Sequence, residues 1–192
     1  MTEHAVDGAA RTSWDDGSAS HRFRVVPAAY VLLRCEDRVL LQLRQGTGYR
    51  DGHWAAAAAG HVEPGESVVV AAAREAHEEL GVEVAPGDLV PVTVLHRGEP
   101  GGPALEQRAD FFFTATRWTG EPALQEPDKA ADLRWFALDA LPDPVVPHEL
   151  HVLRALRGAE VPAIMTFGFD AHRQDVGGRT PRDRSPARRL GP

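Results

Sequence analysis

The sequence predicts a mixed α/β domain in which strands outnumber helices and do not alternate strictly with them. Three observations carry that expectation. Several runs of strand-forming residues are bounded by turn signals. One segment has clean helical spacing and ends on a glycine. No internal repeat is present.

The elements follow in order. Val25 to Leu33 is apolar and rich in strand formers. Glu36-Asp37 turns the chain and 38–44 follows, so the pair reads as a β-hairpin. A glycine-rich loop over 46–52 comes next, and Trp54 and the alanine run Ala55–Ala59 lead into Gly60. From Ser67 to Leu80 the residues Val69, Ala72, Ala73, Ala76 and Leu80 fall on one helical face. Gly81 stands where a helix end favours a left-handed residue. Leu89–His96 and Arg108–Arg117 read as two strands, joined by a loop holding Gly98, Pro100, Gly101, Gly102 and Pro103. Leu133–Leu138 reads as a further strand. His148–Arg157, with apolar Leu150, Val152, Leu153 and Leu156, reads as a second helix.

A chain of 192 residues suits one domain with a real core. Residues 1–20 are small and polar and are expected to be a disordered tail, with the folded domain over 21–165. The segment 166–192 is expected to be mostly disordered and Arg-rich; its last part, 171–192, carries six Arg and two Asp, a net +4. That tail reads as a solvated terminus in preference to a nucleic-acid contact. No apolar run approaches the roughly 20 residues of a membrane span, and the N-terminus lacks the pattern of a secretory signal. The single cysteine, Cys35, cannot form an internal disulfide and is read as structural, so a cytoplasmic location is expected. The net charge of −7 argues against nucleic acid as a partner. An acidic protein that handles anionic phosphates needs a cation to mediate the contact.

The informative stretch runs from Gly60 to Val82. Glu75, Glu78 and Glu79 stand at i, i+3 and i+4, spanning about 80–100° of helical arc, so their carboxylates share one face. Like charges at that spacing cost a helix a few tenths of a kcal/mol per pair. The acids also sit in the last turn, where the helix dipole disfavours anions. A bound divalent cation would reverse both penalties, and carboxylate oxygens are the donors that Mg²⁺ favours. Taken alone, the cluster reads better as a solvated acidic face.

The surrounding residues change that balance. Gly60, Glu66, Arg74-Glu75-Ala76, Glu78-Glu79 and Gly81-Val82 stand at the spacing of the Nudix box. Ala76 is smaller than the aliphatic residue usual there. The stretch from Gly48 to Trp54 resembles the loop that often precedes the box. Glu126-Pro127-Asp128-Lys129, with Arg134-Trp135-Phe136 after it, resembles a later segment of MutT-like members. On these residues the chain resembles the Nudix hydrolases over roughly 23–160.

The resemblance implies the Nudix fold, a mixed β-sheet core sandwiched between helices. It implies a Mg²⁺ cofactor, with Mn²⁺ as a substitute, and a nucleotide-like diphosphate as substrate. Carried over residue by residue, Glu75, Glu78 and Glu79 bind the metal, with the Ala59 carbonyl and Glu126 completing the set. Arg74 orients the glutamates, and Glu66 stabilises the loop or assists the base. The base itself is one of Glu66, Glu75, Glu79 and Glu126. His61 is a candidate phosphate contact and Trp54 a candidate base contact, although the core reading of each aromatic is the stronger. Cleavage is expected to be attack of water on a diphosphate. The expected substrates are a nucleoside triphosphate, an oxidised nucleotide, ADP-ribose or a nucleotide sugar. Members are often homodimers, but no stretch of the sequence marks an interface. The competing function is a Nudix-fold module that binds a ligand and regulates without hydrolysis. An isomerase of the isopentenyl diphosphate type is disfavoured, because Cys35 lies well before the box.

Overall fold

A computed structural model of the chain describes residues 23–98 and 107–169. These hold strands β1 (Val26–Cys35), β2 (Arg38–Arg44), β3 (Trp54–Ala56) and β4 (Ala58–His61), then helix α1 (Val68–Leu80). Strands β5 (Val90–Arg97), β6 (Arg108–Ala115) and β7 (Ala130–Ala137), helix α2 (Pro147–Ala155) and strand β8 (Ile164–Phe167) follow. The expected tails, 1–20 and 171–192, and residues Pro100 to Pro103 lie outside the described residues.

The expected hairpin exists only at its tip. Arg34 pairs with Val39 and Cys35 with Arg38, and Glu36 turns the chain at a left-handed φ of 57°. Beyond the tip the strands part. β1 pairs antiparallel with β4 and parallel with β6, while β2 pairs with β3 and β7. The sheet runs β3-β2-β1-β6-β5-β8, with β4 on β1 and β7 on β2. Its mixed character follows from the parallel β1–β6 and β5–β8 pairs among antiparallel ones.

Two elements differ from the sequence reading. The alanine run is not a lead-in but forms most of β3 and β4; alanine is a poor strand former, and pairing to β1 and β2 overrides that preference. The domain boundary expected at 165/166 falls inside β8, which pairs with β5 through Val94↔Ile164 to Arg97↔Phe167. Four residues are too few to show a period, so pairing alone makes this strand.

Strand parity builds the two cores. On β1, Ala29, Val31 and Leu33 join the cluster containing Ala71, Ala72, Ala76 and Leu80 of α1. The alternate residues Ala28, Tyr30 and Leu32 join the cluster containing Val152 and Leu153 of α2. The sheet is thus sandwiched between helices, as the Nudix fold requires. Ser67 caps α1 by accepting a 3.3 Å hydrogen bond from Val70 N. Gly81 closes it at φ 69°, donating to His77 O while Val82 N reaches Ala76 O. The small residues Ala71, Ala72 and Ala76 on the packed face bring α1 close to β1 and β4 and so fix its acidic edge over Ala59 and Gly60. α2 begins at Pro147, with Glu149 in its first turn, where the helix dipole favours an anion.

Candidate active site

Arg74 is the centre of the acidic edge. Its Nη1 donates to Glu75 Oε1 and to Glu78 Oε2, both at 2.8 Å. Its Nη2 donates to Glu66 Oε1 at 2.8 Å and to the His61 carbonyl at 3.0 Å, and its Nε reaches Glu66 Oε2 at 3.3 Å. A planar guanidinium can serve three carboxylates at once because its donors are fixed in a fork. Glu66 is therefore committed to Arg74 and to Glu63 N, and these bonds hold its carboxyl below the usual range.

Gly60 is required for space. A Cβ built there would lie 2.0–2.4 Å from the Glu75 carboxylate. That carboxylate is buried, and desolvation pushes its pKa up against the pull of Arg74. Glu79 differs from its neighbours, since Arg74 does not touch it. Its Oε2 accepts from Ala59 N at 3.2 Å and from Gln42 Nε2 at 3.3 Å. Burial, opposed by the Ala59 bond and reinforced by Glu75 and Glu126, pushes it up to about 8.

A cavity of about 260 Å³ joins Glu79 to Glu126, with Gln42, Arg44, Ala59 and Lys129 on its walls. Glu126 is brought to the site, but Lys129 Nζ holds both its oxygens, at 2.7 and 2.9 Å. A larger cavity, of about 580 Å³, shares Gln42, Arg44 and Ala59 with the first. It opens toward α2, lies within the size range of small-molecule sites, and includes Gly60 and His61 in its lining.

Residues 23–156 match the family described as NUDIX domain. The chain belongs to the Nudix hydrolase family. Over 122 residues it is 32% identical to a NAD-capped RNA hydrolase NudC of Stutzerimonas stutzeri, covering 64% of this chain and 40% of that one. A NudC of Pseudomonas aeruginosa with the same description is 36% identical over 119 residues, covering 62% and 38%. The chain thus spans about two-fifths of the length of these curated relatives. The crystal structure of a MutT NUDIX hydrolase from Burkholderia pseudomallei aligns with a TM-score of 0.61 and 28% identity, over 68% of this chain and 97% of that one.

The Nudix box glutamates offer the oxygen donors that a hard divalent cation takes. Among the described residues no three His, Cys, Asp or Glu side chains stand gathered into a finished metal cage. Arg74 draws Glu66, Glu75 and Glu78 to itself, and Lys129 holds Glu126. The fit rests on Glu79. Its ionised form is penalised by burial and by the like charges of Glu75 and Glu126, and a cation at this wall would relieve both.

Of the remaining expected residues, His61 lines the larger cavity, where Arg108 donates to its Nε2. Burial, and then Arg108 and Arg97, lower its pKa. Trp54 is not brought to either cavity. Its ring is buried edge-on against Phe136 with its centroid 4.6 Å away, so the expected base contact is a core residue. Phe112 and Phe113 are likewise buried. Cys35 lies at the hairpin tip, away from both cavities.

The sequence reading missed the α2 side of the site. Parity on β1, β5 and β6 points Tyr30, Arg97 and Asp110 to that face, and Arg97 pairs there with the fully buried Asp110. His148 Nε2 lies 3.4 Å from Tyr30 Oη, and burial lowers His148 to about 3. Glu149 Oε2 accepts from Ala56 N, and burial pushes Glu149 up to about 7. The available signal was a His-Glu pair on the buried face of α2, beside Val152 and Leu153.

Proposed function

We propose that this protein is a divalent-metal-dependent hydrolase that cleaves a diphosphate in a nucleotide-like substrate by attack of water. The observation that carries this reading is the Arg74-centred carboxylate wall meeting a buried Glu79, which lines the smaller cavity on Gln42 and Ala59, residues that cavity shares with the larger one. The oxygens that would hold a metal are those of Glu75, Glu78, Glu79 and Glu126 with the Ala59 carbonyl. Bound there, Mg²⁺ or Mn²⁺ would neutralise phosphate charge and acidify a water.

The chain's own residues then have separate tasks. Arg74 keeps Glu75 and Glu78 on one face, and Glu66 anchors Arg74 from the loop side. Gln42 and Ala59 N hold Glu79 facing the cavity. With Glu66 committed to Arg74 and Glu126 held by Lys129, Glu79 is the carboxylate that faces the smaller cavity on the neutral donors Ala59 N and Gln42, placed to take the proton of the attacking water once a bound cation favours its ionised form. Arg44 lines both cavities and supplies positive charge where the diphosphate would cross between them.

The finer substrate assignment is tested on a panel with Mg²⁺. It holds nucleoside triphosphates with and without an oxidised base, ADP-ribose, nucleotide sugars and dinucleoside polyphosphates. NAD-type dinucleotides belong in it because the curated relatives are NAD-capped RNA hydrolases. Product masses identify the bond. The expected result is cleavage of one class by the wild type and none by a Glu78→Gln, Glu79→Gln double variant. Ligands that raise the melting temperature without being cleaved would instead support the regulatory-module reading.

A further inference from the structure

The smaller cavity is lined by two carboxylates and two cations: Glu79 and Glu126, Arg44 and Lys129. The cations are held differently. Arg44 donates from Nε to the Tyr49 carbonyl and from Nη2 to Thr47 Oγ1, both at 3.0 Å and both neutral acceptors. Lys129 Nζ donates to the two oxygens of Glu126, at 2.7 and 2.9 Å. The backbone fixes where this pair stands. Lys129 N and Ala130 N both donate to the Glu126 carbonyl, at 2.9 and 3.2 Å. Gln45 ties the turn to the end of β2, donating from N to the Lys129 carbonyl at 2.9 Å and from Nε2 to the Pro127 carbonyl at 2.7 Å. Gly46, at φ 66°, lets the two segments approach so closely that a Cβ there would meet Asp128 O at 2.5 Å. The pair is thus seated on the cavity wall. Its lysine is the only one in the chain, which uses arginine at every other such position. An ammonium on a flexible four-carbon stem can change partner readily, whereas the planar fork of Arg74 is fixed by the carboxylates it serves.

We propose that Lys129 exchanges partners in the catalytic cycle: it competes with the divalent cation for Glu126 and, once displaced, binds substrate phosphate in the smaller cavity. The inference rests on the proposed function, in which Glu126 belongs to the oxygen donors of the metal. A carboxylate that turns to a divalent cation leaves the ammonium beside it facing a second positive charge, and repulsion drives it to another anion. The anion that enters with the metal is the diphosphate, whose oxygens accept the same N–H donors. The exchange meets little resistance, because the side chains of Lys129 and Glu126 are 62% and 42% exposed and water screens such pairs. Until then the pair has a second use. It keeps Glu79 and Glu126 from facing each other as bare like charges across one cavity.

The test has two binding steps on the full chain and needs no turnover. Mn²⁺ affinity is read from the paramagnetic resonance of free Mn²⁺. Imidodiphosphate, whose P–N–P link stands in for the diphosphate, is then titrated by calorimetry into the Mn²⁺-loaded protein. Lys129→Gln should bind Mn²⁺ about two- to fivefold more tightly than the wild type. The same variant should bind imidodiphosphate about tenfold more weakly. A merely structural role would weaken both steps, so the opposite signs carry the inference. In a Glu126→Gln background, Lys129→Gln should leave Mn²⁺ affinity unchanged. Tightening that persists there would show a general charge effect and overturn the exchange. Unchanged or weaker Mn²⁺ binding by Lys129→Gln, or unchanged imidodiphosphate binding, would overturn it as well and leave the proposed function standing. A wild type that binds no Mn²⁺ would defeat the proposed function and this inference with it.

Discussion

On the α1 side of the sheet, Arg74 and the carboxylates it holds lie within one stretch, Gly60 to Glu79, and face one another through a loop and a helix. On the α2 side the residues come from β1, β5, β6 and α2 and meet only when the sheet closes. In the first group Arg74 holds three carboxylates, and burial raises Glu75 and Glu79. In the second Arg97 pairs with Asp110, and burial lowers His148 and raises Glu149. The comparison teaches that the carboxylates proposed to hold the metal are written locally, whereas the wall of the larger cavity is assembled from distant strands.

The sharpest way to break this comparison is Glu79→Gln, which keeps the Ala59 and Gln42 hydrogen bonds within reach but removes the carboxylate proposed as metal donor and base. We expect kcat to fall about 10²–10⁴-fold with little change in KM, read by steady-state kinetics. A large change in KM alone would move Glu79 from the chemistry to binding. Next is Gly60→Ala. The added methyl meets the Glu75 carboxylate at 2.0–2.4 Å and must displace it. A displacement of that kind costs about a hundredfold in kcat/KM. Unchanged kinetics would show that Glu75 need not stand where the structure has it.

The α2 side is tested by stability. Glu149 is pushed up to about 7 from an ordinary 4.5, first by burial. The folded state therefore holds its proton more tightly than the unfolded chain does. Stability from this group is present below pH 4.5 and is lost as pH rises through about 7. Glu149→Gln removes that loss, so its melting temperature should gain on the wild type as pH climbs across this window. A constant difference across the window would mean Glu149 is not buried as charge. The smallest expected effect is local to α1: Ser67→Ala should cost about 1 kcal/mol of unfolding free energy in denaturant titrations, with kcat unchanged.

Much of the α1 side was legible because a helix converts spacing into direction. Glu75, Glu78 and Glu79 had to share a face, and Gly81 had to end it. The strands β1, β2, β5, β6 and β7 were legible from their composition. The roles of Ala55–Ala59 were not, because alanine has no preference that marks a paired strand; only the partners decide it. β8 was illegible for its shortness. Trp54 shows the limit for aromatics, since the sequence cannot tell whether a ring faces a cavity or Phe136. Glu149 and His148 were hidden because two polar residues on the buried face of a short helix read as noise in its period until the cavity beneath them is seen.

The central claim is that the wall around Arg74 delivers water to phosphorus. It is tested most directly by turnover of a nucleotide substrate in oxygen-18 water with Mg²⁺, followed by mass analysis of both products. The account predicts one heavy oxygen in one phosphate-bearing product, at a rate that collapses in Glu79→Gln. Products without the label, or full labelling at an unchanged rate in the variant, would contradict it.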